Sequence, residues 1–150
     1  MGSGSGSGGG VDILLSCSAM EVGGCSDQTT FMTRPLPHER LAVYRKAVAL
    51  YEPVRQLAAG IRPPHAHLAD QALRCVSSVP LNIAEGATEF SRGDKARFYR
   101  MALRSAGEAA AALDLLERSK LVDANRCEPI RVELGHVIAM LTGLVQSMRK

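Results

Sequence analysis

The chain has 150 residues, 46% apolar and 4% aromatic, with no tryptophan and a formal net charge of +3. That is one ordinary domain, long enough to bury a core without disulfide or metal staples, and its Ala- and Leu-dominated composition suits close-packed helices better than a sheet. No run of the sequence reaches the roughly 18 apolar residues that cross a bilayer, which argues against a membrane protein.

The first ten residues, MGSGSGSGGG, form a Gly/Ser tract with nothing to bury. The short apolar stretch VDILLSCSAM follows. No Lys or Arg precedes it and it is too short for a secretory h-region, so export is not expected. Residues 1–31 carry Asp12, Glu21 and Asp27 and no base, a charge of −3, whereas residues 32–150 carry 18 basic and 12 acidic residues, a charge of +6. Residues 1–31 therefore read as a disordered Gly/Ser-rich tail or a non-native extension, and Met32 reads as the opening of the domain proper, residues 32–150.

A first helix is predicted over about residues 38–59. Val43, Ala47, Leu50, Val54 and Leu57 recur at helical spacing, and a second stripe of Leu41, Tyr44, Val48 and Tyr51 lies beside it. Pro53 lacks a donor and crowds the preceding turn, so a bend is expected there. Gly60 and Pro63-Pro64 end the helix. A second helix is predicted over about residues 66–85, with Leu68, Ala72, Cys75, Val79 and Ile83 as its stripe, a kink at Pro80 and a stop at Gly86. A third opens at Ser91, where Asp94 three residues on resembles a capping box, and runs to about residue 120. Its seam is Phe98, Ala102, Ser105, Ala109, Ala112 and Leu116, joined by Met101 and Leu113. A fourth starts near Asn125 and has Ile130, Leu134, Val137, Leu141, Leu144 and Met148 as its seam. With no strand signal and short connections, this pattern predicts an all-α, antiparallel up-down-up-down four-helix bundle.

Little here points to catalysis. Cys17, Cys25, Cys75 and Cys127 show no C-x2-C spacing, and reduced structural thiols in a cytoplasm are expected. His65 and His67 stand at i,i+2 without a carboxylate or Cys cluster to complete a metal site. Glu133 and His136 supply one copy of Glu-x-x-His, where a di-iron bundle needs two. No phosphate loop, dinucleotide fingerprint or nucleophile elbow is present. The expectation is a non-enzyme with no cofactor and no metal.

The third helix instead concentrates charge. Arg92, Lys95, Arg97, Arg100 and Arg104 fall within thirteen residues, opposed only by Asp94. At about 100° per residue, Arg97, Arg100 and Arg104 lie within about 60° of one another. A guanidinium stripe of this kind suits phosphates, because each planar fork donates two bonds at once. The competing reading is a solvated face in which Glu108 pairs Arg104.

The stretch LADQALRCVSSVPLNIAEGATEFSRGDKARFYRMALRSAGEAAAALDLL resembles a bacterial four-helix-bundle family, the proteins of intervening sequences in ribosomal RNA genes. Leu68, Gln71, Leu73 and Arg74 fit its first motif. Ser78, Val79, Asn82, Ile83, Ala84, Glu85 and Gly86 fit its second, and Ser105 and Glu108 its last. Arg104 departs from the family's Gly, and Cys75 from a basic or small residue. The motif residues Gln71, Asn82, Glu85, Gly86, Ser105 and Glu108 are read as structural. The family is in turn similar in fold to the accessory variability proteins of diversity-generating retroelements. The resemblance implies a ring-like homo-oligomer, with a pentamer favoured, whose partners are RNA or DNA and a reverse transcriptase. The alternative is a protein–protein scaffold in which the arginines form intersubunit ion pairs with Glu108, Asp114 or Glu117.

Overall fold

The computed structural model describes residues 34–149, so the expectation for residues 1–31 lies outside the described residues. Among the described residues every regular element is helical. A 3-10 turn, Pro37–Arg40, leads into α1 (Ala42–Ala49) and α2 (Tyr51–Ala58), followed by three long helices, α3 (Ala66–Thr88), α4 (Arg92–Arg118) and α5 (Ala124–Ser147). No described helix is long and apolar enough to cross a membrane.

The predicted first helix is interrupted at one residue, Leu50, whose backbone angles stay right-handed helical (φ −73°, ψ −23°). Pro53 has no N–H for the Ala49 carbonyl, and its ring crowds that carbonyl. The chain tightens one turn earlier, where the Leu50 N–H donates to the Ala47 carbonyl at 3.3 Å, and α2 follows with the Val54 N–H returning to the Leu50 carbonyl at 3.3 Å. The predicted second helix runs further than expected. Gly86 does not stop it, and α3 continues to Thr88. Pro80 sits inside α3, which spans it as one helix. Ser91 caps α4 as its sequence suggests, its Oγ accepting the Asp94 N–H at 3.0 Å. α5 is capped by Asp123, whose carboxylate accepts the Asn125 N–H at 2.8 Å.

The core is aliphatic. Ile83, Leu113, Leu116, Val137 and Leu141 are sealed from solvent, as are the small residues Ala47, Ala102 and Ala106. On α4 the buried seam includes Tyr99 and Ala106, so it is rotated from the predicted one, and Met101 faces out. Val145 and Cys127 extend the α5 seam at its two ends, while Leu144 and Met148 are half-buried. The second stripe of the predicted first helix divides: Leu41 and Tyr44 pack against the core, whereas Val48 and Tyr51 are 46% and 42% exposed. Two sets of ion pairs cross between elements. Lys46 of α1 reaches Glu133 of α5 at 2.6 Å, and Arg131 of α5 reaches Asp114 and Glu117 of α4 at 2.9 and 3.0 Å. These half-exposed pairs contribute less to stability than the apolar core and act mainly on register.

Candidate nucleic-acid interface

The Ser91 cap sets where α4 begins and therefore which way its arginines point. The Ser91 hydroxyl also donates to the Asp94 carboxylate, which turns that acid back onto the helix end. Arg97, Arg100 and Arg104 are all exposed, and among the described residues none of them enters an ion pair. Arg104 does not pair with Glu108; that carboxylate accepts the Cys75 thiol of α3 at 3.6 Å. Asp114 and Glu117 are engaged by Arg131 within the chain. The Arg97 guanidinium lies 5.0 Å from the centre of the Phe98 ring, which holds it along the helix.

The five predicted basic residues do not form one surface. At about 100° per residue, Arg92 and Lys95 stand about 140° and 160° around α4 from Arg97. Lys95 is half-buried, and Arg92 is exposed at the first position of the helix. The stripe is therefore Arg97, Arg100 and Arg104. Sequence reading also missed Phe90, which stands at the α3–α4 turn with its ring fully open to solvent, 101% exposed. The signal was an aromatic in an otherwise polar turn, ATEFSRGD, with no apolar stripe to join.

The motif residues gather where α3 meets α4, and their geometry explains the residue types. Asn82 is buried, and its Nδ2 donates to the Ser78 carbonyl at 2.8 Å and to the Ser78 Oγ at 3.0 Å. The Ser78 hydroxyl meets that of Ser105 across the interface at 3.0 Å. One turn on, Gly86 lies against Tyr99 so closely that a Cβ there would fall 2.6 Å from the ring. At the other end, Gln71 accepts from Arg74 through its amide oxygen and donates to the Cys75 Sγ at 3.2 Å. Glu85 is exposed on the outer side of α3. The motif is thus a close helix–helix contact with a short internal hydrogen-bond chain. It brings together no nucleophile, base and orienting group.

The remaining polar candidates are local pairs. The His136 ring meets Glu133 at 3.3 Å, and the Lys46 ammonium holds the Glu133 carboxyl below the usual carboxylate range. The His67 ring contacts the Pro64 carbonyl at 3.1 Å. Among the described residues no cluster of His, Cys, Asp and Glu is arranged to hold a metal ion. Cys75 and Cys127 are buried free thiols; burial pushes both above the ordinary thiol value, and the Glu108 carboxylate adds to this at Cys75.

The fold matches that of a solved protein. A crystal structure of a protein of unknown function from the S23 ribosomal protein family of Bacteroides thetaiotaomicron aligns with a TM-score of 0.64 at 23% identity. The alignment covers 69% of this chain and 95% of that one. No curated protein matches the chain. The family of the 23S rRNA-intervening sequence protein matches residues 39–143, which include the whole α3–α4 contact. The chain belongs to the 23S rRNA-intervening sequence protein family.

Proposed function

We propose that this protein is a non-catalytic, nucleic-acid-associated helical bundle that works as a homo-oligomer in the cytoplasm. The observation that carries the reading is the row of exposed arginines on α4, Arg97, Arg100 and Arg104, with the nearby carboxylates of Asp94 and Glu108 bonded elsewhere. A polyanion supplies the counter-charges such a row lacks. An antiparallel up-and-down bundle is supported by the contacts of α3 with α4, where Cys75 meets Glu108, Ser78 meets Ser105 and Gly86 meets Tyr99 in opposite chain directions. A ring, with a pentamer favoured by resemblance, would repeat the stripe on one surface and turn weak contacts into avidity. An accessory role beside a reverse transcriptase, or within another ribonucleoprotein, extends the reading on resemblance alone. A reverse-transcriptase gene with a template repeat next to this gene would support it.

The second reading is a protein–protein scaffold, favoured by the exposed apolar side chains Val48 and Tyr51 on the first helical limb. One experiment separates the two. Arg97, Arg100 and Arg104 are changed together to Ala, and nucleic-acid binding is measured by anisotropy alongside mass by light scattering. On the nucleic-acid reading, binding is lost and the assembly is unchanged. Dissociation to monomers would make these arginines interface residues and favour the scaffold.

A further inference from the structure

Resting on the nucleic-acid reading, we propose that the ligand is a single strand, with one base stacked on Phe90 at the α3–α4 turn and its phosphates along Arg97, Arg100 and Arg104. Phe90 is the most exposed of the large apolar side chains among the described residues. It packs under nothing, and the capping of α4 does not use it, because Ser91 and Asp94 do that work. A benzyl side chain held in water at the head of a cationic row matches the two parts of a single-strand site. One is a platform that any base can cover, and the other is a basic track for the backbone. Duplex bases already stack on one another and keep their faces from such a platform.

The dimensions agree. From Arg92 to Arg104 helix α4 climbs about 18 Å, enough for a strand of about four to six nucleotides. The Arg97 guanidinium, over Phe98 at 5.0 Å from the ring centre, supplies a second planar group for a base. Charge directs the strand along α4. Glu85 and Glu89 belong to the end of α3, and the one acid in the first turn of α4, Asp94, is bonded to Ser91.

The full chain provides its own reporter. It contains no tryptophan, so Phe90→Trp introduces a single, selectively excited indole at the proposed stacking position. The probes are an oligothymidylate of about 12 nucleotides, twice the proposed track, and a blunt duplex of equal length, both at low salt. The oligothymidylate should bind more tightly than the duplex and quench the Phe90→Trp emission. Phe90→Ala should weaken oligothymidylate binding about five-fold or more while leaving duplex binding unchanged, as expected where one base loses its platform. Unchanged oligothymidylate affinity in Phe90→Ala, or unchanged Phe90→Trp emission at saturation, would overturn the stacking site. If the triple arginine variant still lost binding in that case, the broader nucleic-acid reading would stand. Absence of binding to both probes by the unaltered protein would overturn both.

Discussion

Replacing Gly86 by Ala tests the α3–α4 contact at its tightest point. In the interior of an exposed helix, Gly→Ala stabilises by about 1 kcal/mol, because alanine loses less backbone freedom on folding. Gly86 should behave oppositely. A Cβ there would lie 2.6 and 2.9 Å from two ring carbons of Tyr99 and 3.1 Å from the Cβ of Phe98. Tyr99 is 4% exposed, so its ring cannot swing into solvent, and the helices must part instead. Overpacking of this kind costs about 1–3 kcal/mol, and subtracting the helix gain leaves a loss of about 1 kcal/mol. The midpoint should fall by about 3 °C in thermal unfolding followed by circular dichroism at fixed protein concentration. Gly107, Gly135 and Gly143 are internal controls: they lie in helix interiors, and a Cβ at any of them meets nothing within 4 Å. Alanine at those three sites should stabilise. A Gly86→Ala protein as stable as Gly107→Ala would refute the close approach and with it the account of the motif.

Asn82→Ala removes the buried amide that serves Ser78 and should cost about 1–2 kcal/mol in urea unfolding. Ile83→Asp places an unpaired charge in a fully buried position and should abolish the folded state, checked by solubility and circular dichroism. Pro80→Ala restores a helix donor and should be mild by the same measurement, since α3 already spans this position. Cys75 and Cys127 should react slowly with a thiol reagent at pH 8 and rapidly after denaturation, because burial both shields them and suppresses their ionisation. Mass-spectrometric mapping of fast modification at either residue in the native protein would contradict their placement.

The helical architecture was legible because apolar spacing is set by the same 3.6-residue period that buries it. Val79, Ile83, Leu134 and Leu141 therefore fall in the core as the pattern requires. Ends and interruptions were harder to read. Pro53 signals trouble in the first limb, but where the helix gives depends on how the freed turn repacks, and here the interruption falls at Leu50. Gly86 reads as a stop because glycine commonly follows helices, yet its missing Cβ serves Tyr99, a partner thirteen residues away that a local pattern cannot reveal. The start near Asn125 left the α5 cap open, since both Asp123 and Asn125 are good caps and only the backbone path selects Asp123. In the basic segment, counting charges gathered five residues, and the helical period alone already grouped Arg97, Arg100 and Arg104; their exposure is what the structure adds. Phe90 went unread because exposure is a tertiary property, and a lone aromatic in a turn carries no period.

The most direct test of the central claim is the salt dependence of single-strand binding by the unaltered protein and by the Arg97, Arg100 and Arg104 triple Ala variant. Three arginine–phosphate contacts predict that log affinity falls against log salt with a slope of about −2 per protomer, from about −0.7 for each contact. In the triple variant the slope should collapse toward zero along with the affinity. Failure of the unaltered protein to bind at low salt, or an unchanged slope in the variant, would contradict the assignment of this stripe to phosphate.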